Sequence, residues 1–410
     1  MTDSERLGMD LFSGARRAQS YQEADVDPAA STGGVRIGDA QQPPRPSAPP
    51  ASPADAPGGS RVANDGWALG EPAGATATQP GDLPPASIQI APVPSPRPAQ
   101  WGWRGRLRRG TGGLVKLAPE PAELAHREAL TAIRRATWTR AVNVIVTSPK
   151  GGVGKTPTSL LLAGILGHVR GGYVAAWEAA EAPGTLNDRA EGDPTRGLAE
   201  LLASVDNVHS AGSLGGYTAP QTSHADVIGS ITGRAVLTAA DVLAARRVLD
   251  TYYRITISDT GNNLDHEAYL AALHTADAAV LPCLVSIDAL SGVEKTLRSM
   301  RAAGGQVSAP GGLLSRVVVI LGHDGGPEDP HIATALRARL DELGVAAVVE
   351  VPFDPAIRLG GAITLGALSE KSTRAWTAAA AAVVETLRTA HTETDLVQQL
   401  RDAMTNSRQG

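Results

Sequence analysis

Eight consecutive residues concentrate the chemistry of this 410-residue chain: Pro149-Lys150-Gly151-Gly152-Val153-Gly154-Lys155-Thr156. They stand between an apolar run, VNVIVT at 142–147, and a stretch of helical pattern, TSLLLAGILGHV at 158–169. Glycine lets a chain curl until successive backbone N–H groups face one point, and the first turn of a helix adds donors of its own. A strand, a glycine turn and a helix in series therefore make an anion nest. Lys155 would set its ammonium against the β- and γ-phosphates of a nucleotide, and the Thr156 hydroxyl would join the shell of a Mg2+ ion. Gly151, Gly152, Val153, Gly154 and Pro157 complete the expected cradle. Proline costs little there, because a first-turn N–H has no partner within the helix.

About a hundred residues further on, Ile255-Thr256-Ile257-Ser258-Asp259 reads as a buried strand ending in an acid. A carboxylate at a strand tip beside a phosphate loop can hold the hydration shell of Mg2+, so Asp259 joins Thr156 as an expected metal residue. A strand-terminating Asp-Thr-Gly turn is the plainer alternative.

These residues need a scaffold, and the pattern from Val142 onward supplies one. Apolar runs at 142–147, 173–177, 253–258, 278–283, 316–321 and 345–351 read as strands. Between and after them, helical stretches fall near 158–169, 196–204, 238–250, 265–275, 288–303, 330–343 and 370–389, and a Gly/Ser/Thr-rich loop covers 206–223. Strands alternating with helices at this spacing predict an α/β fold, a doubly wound, mostly parallel sheet with ligands at the carboxyl ends of its strands, and the glycine loop at 149–156 makes the expected fold one of the P-loop NTPase type. Residues 141–390 would form this domain and 391–410 a C-terminal tail with at most a weak helix.

The rest of the chain differs in kind. Sixteen of 29 prolines fall in residues 1–100, where no apolar period persists, so that stretch is expected to be a disordered tail. Residues 101–116 then carry five basic side chains and no acidic one. This collar, with Trp101, Trp103 and Arg104 to Arg109, admits two readings: a grip on nucleic acid or anionic lipid, or a junction whose tryptophans dock while the arginines stay solvated. A helix over 119–139 should complete the segment 101–140. A single cysteine, Cys283, excludes an internal disulfide framework, and no apolar run reaches the roughly 18 residues of a spanning helix. The N-terminus lacks a basic-then-apolar signal pattern, so a cytoplasmic location is expected.

The loop departs from the strict phosphate-loop pattern, with Pro149 where a glycine is usual and a second lysine at 150. Here the sequence resembles the deviant-Walker family of ParA/MinD-type ATPases, whose loop reads K-G-G-x-G-K-[ST]. Lys-Thr-Pro, Arg170-Gly171-Gly172 and the Pro/Ala-rich extension look like an actinobacterial branch of it. The resemblance implies ATP and Mg2+ as ligands, an ATP-dependent homodimer in which Lys150 reaches the partner's phosphates, slow or activated ATP hydrolysis, and a cargo positioned with the help of a protein partner. It assigns catalytic roles to Lys150, Lys155 and Asp259, and it makes Asp259-Thr260-Gly261-Asn262-Asn263 look like a switch segment near the γ-phosphate. A second switch usually holds an acid-x-acid pair. This chain offers Glu178 and then Ala180, leaving Glu181, one residue on, as the candidate to position the attacking water. Pro352 and Asp354, in Val351-Pro352-Phe353-Asp354, resemble the segment beside the adenine base. His323-Asp324 stands where many relatives place an asparagine, and His323 reads as a loop histidine.

Two classes of function fit these residues. One is an ATP-hydrolysing, dimerising switch that positions cargo, such as DNA, a division-site factor or a secretion complex, with non-specific DNA binding through Arg104 to Arg109. The other is a nucleotide-dependent adaptor of negligible turnover acting through its tail, for which Ala180 and Pro43-Pro44-Arg45-Pro46 speak. A small-molecule kinase or ligase is less consistent with Lys150. Residues 386–410 carry few large apolar side chains, so lipid insertion at that end is not expected.

Overall fold

The computed structural model describes residues 97–406 except 232, 287, 310 and 328, with side chains as far as Arg388. The chain divides into two units, Met1–Ile90 and Ala91–Gly410. The tail expected over 1–100 lies, up to residue 96, outside the described residues.

Eight strands form one sheet among the described residues. They are β1 Val142–Val146, β2 Val174–Glu178, β3 Ala219–Pro220, β4 Ala225–Ile228, β5 Ile255–Asp259, β6 Ala278–Leu284, β7 Val317–Gly322 and β8 Ala347–Val351. Their order is β3-β4-β2-β5-β1-β6-β7-β8, and every neighbouring pair is parallel except β3 with β4. Helices of eight or more residues are α1 Gly102–Gly110, α2 Pro121–Arg135, α3 Lys155–Arg170, α4 Ala239–Tyr252, α5 Glu267–His274, α6 Ala289–Ala303, α7 Pro330–Glu342 and α8 Glu370–Asn406.

The sheet is covered on both faces, and its central strands β1, β2 and β5 are buried at every residue. Period-two alternation splits β1 between two cores. Val142, Val144 and Val146 pack with Leu161 and Leu162 of α3 and with Trp376 and Val383 of α8. Ile145 turns to the other face, with Trp177, Leu249 of α4, Tyr269 of α5 and Leu297 of α6. Because β1 lies between β5 and β6, the loop after it opens at the place where the winding of the sheet changes direction, the usual ligand edge of such a fold.

The structure differs from the sequence reading in three places. The segment read as a loop over 206–223 contains a short helix, Ala211–Gly215, and β3, and β4 follows at once. With two and four residues these strands are too short for an alternating pattern to stand out. The collar is helical, although α1 spans Gly102, Gly105 and Gly110. Gly105 is required there, since a side chain would collide with the backbone carbonyl of Gln100. At the other end α8 runs unbroken to Asn406, there being no glycine or proline between Glu370 and Asn406 to stop it.

The collar divides the two readings offered for it. Trp101 is docked: its ring lies 5.1 Å from that of His126, and the Arg374 guanidinium sits 3.8 Å above it. Trp103 is 61% exposed, with Arg104 stacked on it at 5.6 Å. Arg104 and Arg109 also donate to the carbonyls of Ala118, at 3.0 Å, and Gln100, at 3.3 Å. The junction is tied down from Arg97 onward. Ala99 N–H donates to Leu117 O at 2.9 Å, and the Arg127 guanidinium holds the carbonyls of Arg97 and Pro98 at 2.7 and 2.9 Å.

Candidate functional site

The loop between β1 and α3 bends through Gly152 at φ 74° and Gly154 at φ 93°, left-handed values that glycine adopts without strain. Gly154 caps α3, whose first residue is Lys155. The nest rests on a rigid mount, because residues 158–167 of that helix are buried without interruption. Pro157 falls in the first turn, where no intrahelical N–H bond is lost. The Lys155 ammonium lies within the turn, donating to Lys150 O at 3.2 Å and to Asn262 Oδ1 of the segment after β5. Burial lowers its pKa from the usual lysine value, while Asp259 and Glu181 oppose that shift.

Asp259 ends β5, in register with Val146 on one side and Glu178 on the other. Its Oδ2 accepts from Thr156 Oγ1 at 2.7 Å and its Oδ1 from Ser159 Oγ at 3.0 Å. Burial pushes its pKa up to about 6 against those two hydroxyl bonds and the pull of Lys155. A buried carboxylate served by hydroxyls is short of positive charge, and oxygen donors of this kind suit a hard divalent cation. The expected pair Thr156 and Asp259 is thus brought together, with Ser159 as a third member. Sequence reading passed over Ser159, although its place three residues after Thr156 on a helix puts both hydroxyls on one face.

The two glutamates after β2 part company. Glu178 is buried and paired with the Arg234 guanidinium at 2.8 Å, and it also accepts from Ser230 Oγ at 2.5 Å and from Ser230 N at 3.5 Å. Glu181 lies against Gly261, so closely that any side chain at 261 would strike its carboxylate. The structure therefore brings Glu181 to the segment carrying Asp259 and Asn262 and gives Glu178 a partner within the fold. The Lys150 ammonium meets Asp288 Oδ2 at 2.5 Å at the start of α6.

Beside the nest is a cleft of about 440 Å3, a size suited to a small ligand, whose walls include Gly152, Pro157, Cys283, Pro352, Phe353 and Trp376. Asp354 also borders it, but its carboxylate is buried and accepts from Ala356 N at 3.0 Å and Ser369 N at 2.9 Å. It shapes the loop that presents Pro352. His323 is bound through Nε2 to Glu350 Oε1 at 2.6 Å. No helix among the described residues is long and apolar enough to cross a membrane.

No family model matches this chain. It is similar to the ESX-1 secretion-associated protein EspI of two Mycobacterium tuberculosis strains, 26% identical over 275 residues. That match covers 66% of this chain and 40% of the relatives, so the chain spans less than half of their length. Among solved structures, a ParA family ATPase from Chlorobium tepidum TLS is 16% identical at a TM-score of 0.44, covering 60% of this chain and 96% of that one. The cell division ATPase MinD of Pyrococcus furiosus is 21% identical at a TM-score of 0.44, covering 60% and 99%.

Proposed function

We propose that this chain is an ATP-binding, ATP-hydrolysing switch of the ParA/MinD type, which dimerises on ATP and positions cargo. The observation that carries this reading is the bond of 2.7 Å between Thr156 Oγ1 and the buried Asp259, at the mouth of a glycine nest that also holds Lys155. Backbone N–H groups of residues 151–156 bind phosphate oxygens, Lys155 holds the β- and γ-phosphates, and Thr156 with Asp259 fixes the metal shell. Bound Mg2+ would neutralise charge on the transferred phosphate. Glu181, lying on Gly261, orients the attacking water, and Pro352 lines the base cleft. Lys150 leaves Asp288 to meet the phosphates of a second copy. The name of the mycobacterial relatives makes a secretion complex one candidate cargo. Arg104 to Arg109 would add non-specific DNA contacts that weaken steeply with salt.

Binding of a fluorescent ATP analogue, with light scattering for mass, tests the reading. Lys155→Ala should abolish binding, whereas Lys150→Ala should keep it and lose the ATP-dependent dimer. Equal dimer formation by wild type and Lys150→Ala would remove the sandwich from the proposal. Ala180, where the second acid of the family pair is missing, favours the adaptor of negligible turnover. Phosphate release at the uncatalysed background under every condition, alongside intact binding, would select it.

A further inference from the structure

The loop between β2 and the 3-10 turn Asn187–Arg189 carries Glu181, yet it has no regular structure to hold it. What fixes it is a side chain more than fifty residues away. The Arg234 guanidinium, 2% exposed, donates through Nη2 to Glu178 Oε1 at 2.8 Å, Ala180 O at 2.7 Å and Ala182 O at 3.2 Å. Through Nη1 it reaches Glu181 O at 3.0 Å and Ala235 O at 3.1 Å, and through Nε it reaches Ser230 Oγ at 2.9 Å. Three consecutive carbonyls of the loop thus converge on one cation. Two backbone bonds frame them: Ala179 N to Asp259 O at 2.8 Å and Leu237 N to Glu181 O at 3.0 Å.

We infer that Arg234 is the positioning residue of the loop after β2: by gathering the carbonyls of Ala180, Glu181 and Ala182, it turns the Glu181 carboxylate onto Gly261, beside Lys155. This rests on the reading of the nest as a nucleotide site. A buried Arg–Glu pair kept for stability alone would need only Glu178 and its own hydrogen bonds. Here six acceptors surround five N–H groups, so one N–H of Nη2 is shared, and four of the six acceptors are main-chain carbonyls. A planar, forked donor can span such a set and a lysine ammonium cannot, since it offers three donors from one point. The pair also reaches the site from both ends. Glu178 is the register partner of Asp259, and Glu181 contributes to the electrostatics of Lys155. A chain that lacks the second acid at 180 has in this way fixed the backbone so that residue 181 faces the site.

The test uses the full chain carrying Arg234→Lys, which keeps the charge opposite Glu178 and loses the fork. Amide hydrogen exchange should quicken at residues 179–182 by about tenfold or more while the amides of β1 and β5 are unchanged. Single-turnover ATP hydrolysis should fall by roughly tenfold to a hundredfold with affinity for the fluorescent analogue kept within about threefold. Arg234→Lys should also add almost nothing to Glu181→Gln, because both act on one group. Unchanged exchange at 179–182, an equal loss of binding and rate, or additive effects with Glu181→Gln would overturn the inference. If Arg234→Lys does not fold, Ser230→Ala leaves the ion pair and should give the same pattern at smaller amplitude, and unchanged exchange there overturns it. A wild-type chain that binds no ATP would defeat the proposed function, whereas the exchange measurement would still decide whether Arg234 holds the loop.

Discussion

Glu178 and Asp259 are neighbours in register at the tips of adjacent parallel strands, and both are buried. Their surroundings are opposite. Glu178 has a guanidinium at 2.8 Å and a hydroxyl, so its charge is answered from within the fold. Asp259 has two hydroxyls, and burial drives its pKa up to about 6. Two carboxylates of one sheet edge are thus put to different uses. One is closed by an internal cation and organises backbone, while the other is left short of positive charge at the mouth of the glycine nest. A buried acid is informative about ligands only when its counter-charge is missing.

The largest effect should come from breaking the closed pair. Glu178→Gln leaves the Arg234 guanidinium buried without its anion, and urea unfolding should report a loss of about 3–5 kcal/mol. A loss under about 1 kcal/mol would erase the contrast with Asp259.

Next in size, and opposite in sign, is Asp259→Asn. The folded pKa of Asp259 lies above its ordinary value, so the native chain holds this proton more tightly than the unfolded chain. Its penalty is absent below about pH 4, grows as pH rises to about 6, and stands complete above that, at roughly 3 kcal/mol. Asp259→Asn should therefore be more stable than wild type at pH 7.5 and converge with it near pH 4. Parallel stability curves across that window would refute the assignment. The same substitution should abolish any Mg2+-dependent gain in nucleotide affinity.

Supplying the missing charge gives a third measure. Mg2+ with ATP at about a hundred times its dissociation constant should stabilise the wild type by about 2.7 kcal/mol, and by less at pH 5, where Asp259 is protonated. The smallest effect belongs to Lys150→Ala. The Lys150–Asp288 pair is exposed on both sides, so the melting curve should not move even though the proposed ATP-dependent dimer should be lost.

The reach of the sequence follows the same division. Lys155, Thr156 and Asp259 stood out as candidates because a nest and a strand tip are local patterns, and alternation with helices predicted a mostly parallel sheet around them, though not the order of its strands. Glu181 was visible as a candidate, but its contact with Gly261 was not, since that depends on how two loops face each other. Arg234 gave no signal at all. It sits in an irregular segment more than fifty residues from the loop it holds, and a lone arginine in a polar stretch looks like any solvated one. The strands β3 and β4 escaped for a related reason, being too short for a period to show. In the cleft, Pro352 lines a wall, while Asp354 has its carboxylate committed to the N–H groups of Ala356 and Ser369.

The docked junction has a mechanical meaning. Trp101 lies between His126 of α2 and Arg374 of α8, and the carbonyls of Arg97 and Pro98 are held by Arg127. Tension applied to the chain ahead of Arg97 would be taken up by this clasp and spread into two helices. One of them, α8, carries Trp376, a wall of the cleft, only two residues beyond Arg374. A pull on that end would reach the cleft through the wall that Trp376 supplies, and Gly152 and Pro157 line that same cleft.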